Sequence, residues 1–160
     1  MDNIKLYEIS PAYIKYLIPH APHLFQNKQA GQHNERKYIG IVLTVNGMDY
    51  FAPLSSFKEK HHRMQEGLDF IKIKRYAVIN LNNMFPVPAG QYSYVDISKQ
   101  RDPKYKALLL AEYRYIKSIQ ERIRKNAKTV YQLKINGPAS PLTKRCNDFL
   151  KLEVLCKQYR

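Results

Sequence analysis

The chain has 160 residues, with 27 Lys and Arg against 13 Asp and Glu, a net charge of +14 and a pI near 9.8. A surface this basic repels cationic partners and attracts polyanions, nucleic acid first and an anionic membrane surface second. No apolar run approaches the roughly 20 residues that span a bilayer, and two cysteines ten residues apart, Cys146 and Cys156, make neither a disulfide framework nor a zinc site.

The opening MDNIKLYEIS lacks the basic-then-apolar layout of a signal peptide, which points to a cytoplasmic protein with reduced thiols. Lys5–Ile9 reads as a short strand. Ser10 and Pro11 then supply an N-cap residue followed by proline at the first helical position, and a turn or two follows over residues 12–18, carrying Tyr13, Lys15 and Tyr16, until Pro19. Residues 19–35 hold His20, His23 and His33 with no periodicity, and read as a long loop. His20 and His23 have no acidic or cysteine partner nearby, so no metal is expected there.

Residues 36–58, RKYIGIVLTVNGMDYFAPLSSFK, form the stretch around which the chain is organised. Residues 38–45 are β-branched and aromatic, which suits a pleated surface. Asn46-Gly47 is the dipeptide best able to take the φ > 0 values of a tight I′ turn, and residues 48–52 return as the partner strand. Pro53 lacks a backbone donor and suits a strand end. In such a hairpin the start of one strand lies beside the end of the other, so Arg36 and the Ser55-Ser56 pair are expected to be neighbours, with Lys58 next to them. That grouping fits an anion such as phosphate; two serines after a proline also fit a plain turn.

Residues 59–67 make a polar loop with Lys60, His61, His62 and Arg63. Phe70–Ile73 and residues 76–81 read as strands, 84–90 (MFPVPAG) as a proline-interrupted connection, and 92–97 as one more strand, six in all. Asp102-Pro103 repeats the cap-then-proline start. Leu108, Leu109, Tyr113, Ile116, Ile119 and Ile123 then mark an apolar helical stripe running to about residue 128 or a little beyond. Asn136, Gly137 and Pro138 break the pattern, and residues 146–159 form a last helix with Phe149, Leu152 and Leu155 inward. From Lys99 onward there are 16 Lys and Arg against 5 Asp and Glu, so this part carries +11 of the +14. Such an excess is a solvated helix face or a wall along which RNA lies. Strands first and helices last indicate one α+β domain over residues 1–160, a curved antiparallel sheet or partly open barrel with basic helices packed on it. Residues 1–98 would hold the site and 99–160 the basic helical part.

Four stretches together resemble the ToxN/AbiQ family, the toxins of type III toxin–antitoxin systems. They are the opening strand with Ala12-Tyr13-Ile14-Lys15-Tyr16-Leu17; Tyr38-Ile39-Gly40-Ile41-Val42-Leu43; Tyr50-Phe51-Ala52-Pro53-Leu54-Ser55-Ser56 with Lys58; and Ile79-Asn80-Leu81 before Met84 and Pro86. The resemblance implies a MazF-like sheet core and a metal-independent endoribonuclease without cofactor, cutting RNA to 2′,3′-cyclic phosphate and 5′-hydroxyl ends. It implies inhibition by, and processing of, a small repeated pseudoknot antitoxin RNA, action on cellular or phage RNA with abortive infection as the outcome, and a closed protein–RNA ring assembled through RNA; no strongly amphipathic basic segment with an aromatic apolar face favours a membrane partner. The family's active-site positions fall on Tyr13, Arg36, Ser55 and Ser56, with Lys58 and His61 close by. Arg36 stands where relatives carry lysine, which makes its role phosphate binding. The stretch over residues 19–35 does not align; Gln32 or His33 replaces any tyrosine of the family there.

The chemistry is consistent with these residue types. Attack by a 2′-hydroxyl needs a proton acceptor, charge stabilisation for the phosphorane and a proton donor for the 5′-oxygen. Arg36 and Lys58 supply charge, and Ser55 and Ser56 orient non-bridging oxygens. His61, Tyr13 or Lys58 are the candidates for acid and base, and no carboxylate cluster suggests a two-metal nuclease. Lys15, Tyr16, Lys37, Lys60, Arg122 and Lys125 are the candidate RNA contacts. A non-catalytic basic RNA-binding module is the competing expectation.

Overall fold

The computed structural model describes residues 2–24 and 35–160; most of the stretch expected as a long loop, including Gln32 and His33, lies outside the described residues. Seven strands and five helices follow in order: β1 (Lys5–Ile9), α1 (Pro11–Leu17), β2 (Lys37–Val45), β3 (Met48–Ser56), β4 (Phe70–Ile73), β5 (Ala77–Asn80), β6 (Phe85–Val87), β7 (Tyr92–Tyr94), α2 (Pro103–Ser118), α3 (Gln120–Asn136), α4 (Pro141–Arg145) and α5 (Phe149–Gln158). They build the α+β arrangement expected. One antiparallel sheet runs β4-β5-β3-β2-β1-β7, with β6 also on β3.

The central hairpin forms as its sequence dictates. Asn46 and Gly47 take φ of 51° and 76°, the two positive values a I′ turn requires, and Val45 pairs with Met48 across it. Side chains then alternate between the faces. Ile39 and Tyr50 join a core beneath α2 and α3 with Leu109, Ile116, Ile123 and Val130. Tyr38 and Phe51 join a second core against α1 and α5 with Tyr13, Leu17, Phe85 and Leu152. The sheet is therefore covered on both faces, each large apolar side chain contributing about 1.5–3 kcal/mol on burial. The Phe51 ring of neighbouring β3 leaves no room at Gly40, where an added Cβ would meet it.

Several expectations need correction. Pro53 does not end its strand: β3 continues to Ser56 and Pro53 pairs with Tyr38. It is tolerated because β3 exchanges partners there, from β6 over residues 49–51 to β5 over 54–56, leaving Ala52 and Pro53 between the two ladders on that flank. Residues 84–90 are not merely a connection, since Phe85–Val87 is β6; Pro86 lies on an edge strand, where a missing donor is tolerated. The long helix is two. At Ile119 the backbone turns to φ −116° and ψ 14°, beside Ser118, whose hydroxyl takes the Tyr115 carbonyl. The last helix starts at Phe149, after the separate short α4.

Buried carboxylates qualify the apolar picture, Glu153 and Glu112 among them. Glu153 accepts the Tyr50 hydroxyl at 2.5 Å and the Tyr131 hydroxyl at 2.7 Å. Glu112, inside α2, is pushed up to about 7 by burial alone. Its folded state holds the proton more tightly than the unfolded chain, so its ionisation costs stability as pH rises from the ordinary carboxylate range through 7. Glu112→Gln is expected to raise denaturant stability at pH 8 by up to about 3 kcal/mol and to change it little near pH 4. Equal effects at the two pH values would contradict the burial account.

Candidate active site

The register that pairs Lys37 with Leu54 places Arg36 opposite Ser55. The two meet: Arg36 Nη1 donates to Ser55 Oγ at 2.8 Å. The neighbourhood expected from strand start lying beside strand end is therefore present in space, with the register shifted by two residues between Ile39 and Leu43. Burial lowers the proton affinity of Arg36, a trend that neighbouring Tyr38 opposes, but a guanidinium stays charged. Because the Ser55 oxygen accepts from arginine, its own proton is left to donate to something else. Ser56 follows, exposed, at the end of β3.

From there the chain turns tightly. The His61 N–H donates to the Lys58 carbonyl at 2.9 Å, and the Lys58 N–H donates to His61 Nδ1 at 2.8 Å. The ring packs against Phe57 and Phe70 at 5.4 and 5.6 Å between centroids. Burial first, then Lys60, Lys58 and Lys72, hold His61 below the usual histidine range. It is thus neutral at pH 7 with its acceptor nitrogen in use, so its free Nε2–H is a donor. This geometry argues against His61 as the base and for a role in fixing the turn or bonding a phosphate oxygen. Lys58 and Lys60 are exposed beside it. Lys72 of β4 and Phe57 complete this cluster. They were missed because in sequence Lys72 is one more strand lysine and Phe57 a lone aromatic.

Other candidates lie elsewhere. Tyr13 is fully buried, and its hydroxyl donates to the Pro86 carbonyl at 2.6 Å. Burial pushes its ionisation far above the ordinary phenol range, so in this conformation Tyr13 is a core residue and cannot serve as acid or base. Tyr16 donates to the Leu155 carbonyl at 2.9 Å and packs edge-on against Tyr159. Lys37 is also corrected: it is buried, with Nζ 2.7 Å from Glu8 and 5.6 Å from the centre of the Tyr105 ring. Lys15 and Lys125 are exposed, and Arg122 makes a loose 3.4 Å pair with Glu66. Among the described residues, no three His, Cys, Asp or Glu side chains group to hold a metal, and no helix is long and apolar enough to cross a membrane.

The chain as a whole is similar to known proteins. The family model for the toxin ToxN of type III toxin–antitoxin systems matches residues 5–157. An endoribonuclease ToxN from Bacillus thuringiensis subsp. kurstaki is 33% identical, covering 99% of this chain and 86% of that protein. A structure solved in work on selective toxin inhibition by a non-coding RNA pseudoknot superposes with a TM-score of 0.85 at 32% identity, covering 99% of this chain and 98% of the other. Another, from work on a processed non-coding RNA that regulates a bacterial antiviral system, gives 0.87 at 26% identity, covering 97% and 98%.

Proposed function

Because the chain belongs to the ToxN family of type III toxin–antitoxin toxins, we propose that it is a metal-independent endoribonuclease of the cytoplasm, held inactive by a pseudoknotted antitoxin RNA that it also processes. The observation that carries this reading is the 2.8 Å Arg36–Ser55 contact at the open end of the hairpin. There the 2′-hydroxyl of RNA gives up its proton and attacks the adjacent phosphorus, the bond to the 5′-oxygen breaks, and that oxygen takes up a proton, giving a 2′,3′-cyclic phosphate and a 5′-hydroxyl. Arg36 neutralises the phosphorane charge, Ser55 donates to a non-bridging oxygen, and Ser56 and Lys58 complete the cradle. Preorganised donors of this kind supply most of the acceleration without a metal. By the same reading the chain is one domain, with the site in residues 1–98 and the basic wall in 99–160. Its sheet is a partly closed, MazF-like core, bent by the bulge between Ile39 and Leu43. Cleavage of cellular or phage RNA, once the antitoxin is lost, would make it an agent of phage defence.

Purified protein freed of RNA is expected to cut RNA in EDTA, and Ser56→Ala to slow turnover by about 10- to 100-fold with little loss of RNA affinity. Binding without cutting would leave a non-catalytic RNA-binding module. Assembly supplies another expectation. Two copies at +14 each repel, screened only beyond about 8 Å at physiological salt, and a polyanion between them removes that repulsion. Light scattering should show a closed protein–RNA complex that falls to monomer or weak dimer after nuclease digestion. An unchanged oligomer would place the assembly in direct protein contacts.

A further inference from the structure

The β1–β2 ladder stops where Lys5 faces Gly40, because the residues before β1 are drawn onto α3. The Ile4 N–H donates to Gln120 Oε1 at 2.9 Å, Gln120 Nε2 donates to Asn3 Oδ1 at 2.9 Å, and Arg124 donates to the Asp2 carbonyl. Beyond Gly40, among the described residues, residues 41 and 42 of β2 sit in the register shift and residues 43–45 pair only with β3. A cavity of about 470 Å³ opens in the gap, bounded by Tyr7, residues 41–44 of β2, and Arg124 and Lys128 of α3. It lies toward the hairpin turn, roughly 20 Å along β2 from Arg36 at the usual rise per residue.

We propose that this cavity is a second RNA subsite, holding one unpaired nucleotide, distinct from the cleavage centre and resting on the RNA-binding reading above. Three features of different kinds converge on that ligand. The volume is within the range of small-molecule sites, about 300–1,000 Å³. The unpaired flank of β2 presents main-chain donors and acceptors, which can bond the edge of a base that is out of its helix. Arg124 and Lys128 provide cations for the flanking phosphates, against one lining carboxylate among the described residues, that of Asp2. Beside the cavity is a shelf for the next base. Tyr94 is 59% exposed, its ring is 6.3 Å from that of Tyr7, and Lys5 Nζ lies 5.4 Å over it. Exposed rings next to cations are the usual platform for single-stranded bases. A peptide strand could also use the open edge, but two cations over four residues of a bulged strand favour phosphate.

The test uses a ten-nucleotide RNA with 2′-O-methyl sugars, which cannot be cut by 2′-attack, carrying 4-thiouridine. Tyr94→Ala and Lys128→Ala alter exposed side chains, so both variants should fold with unchanged melting temperature. Each is expected to weaken binding by about tenfold, and the pair together more, by fluorescence anisotropy. Lys144→Ala, which removes an equal charge from α4, should cost clearly less. Photocrosslinks should map to peptides containing Tyr7 or Tyr94. If the wild type binds and cuts RNA, but the two variants lose no more than Lys144→Ala or the crosslinks map only elsewhere, the subsite is overturned and the nuclease reading stands. If the wild type neither binds nor cuts RNA, both fall.

Discussion

Arg36→Ala is expected to lower kcat/KM for RNA cleavage by about 10²–10³-fold. The guanidinium stands just before β2, half-buried and fixed on Ser55 by the 2.8 Å hydrogen bond, so it meets a phosphate already oriented. Its removal takes away a full charge in a partly desolvated place and leaves the Ser55 hydroxyl free to rotate. Arg36→Lys should recover part of the loss, since an ammonium restores the charge but not the planar fork that holds an oxygen and a hydroxyl together. The loss should appear in kcat more than in RNA affinity, because the basic helices retain most of the binding charge. An alanine variant cutting within about threefold of wild type would remove Arg36 from the mechanism.

That site was legible because it depends on local rules. Asn46-Gly47 fixes a two-residue turn, and the return strand lays the Ser55-Ser56 end beside Arg36; that Ser55 is the partner, across 19 positions of sequence, is set by the two-residue register shift between Ile39 and Leu43, which the sequence does not mark. The β-branched and aromatic run of residues 38–45 and its return over 48–52 likewise announced a sheet. What stayed hidden depends on partners far along the chain. Tyr13 and Tyr16 look alike in sequence to any exposed stacking ring, but β6 and α5 offer them carbonyls, which draw both inward. Lys37 has the same composition signal as Lys58; it is buried because Glu8 of the neighbouring strand is there to pair with it. β6 was obscured by Pro86, which reads as a breaker unless its strand is known to lie at an edge. The break at Ile119 left no mark either, since the apolar stripe continues through it and only the backbone changes course.

The other large effect concerns salt. Antitoxin RNA affinity should fall by about 10³–10⁵ between 50 and 200 mM salt, as expected when 6–10 phosphates are neutralised. The structure indicates which charges can contribute. Arg145 is committed to buried Asp69 through bonds of 2.6 and 2.8 Å, and Lys134 donates to the Thr143 carbonyl at 2.8 Å. By contrast Arg114, Lys117, Lys125 and Lys128 are exposed. On α3 the exposed Arg122, Lys125 and Lys128 stand opposite the buried Ile123, Ala127 and Val130, a stripe of cations at helical spacing. Among the described residues Arg122 is held by its 3.4 Å contact to Glu66, both side chains about 40% exposed, and such a pair is worth at most about 1 kcal/mol. A phosphate can displace it. Lys125→Ala should therefore weaken binding uniformly across RNA sequences and reduce the slope of log K against log salt by about 1, without moving the cut site. A nearly flat slope for the wild type would mean that these helices face away from the RNA, and the +11 beyond residue 98 would then be only a solvated surface.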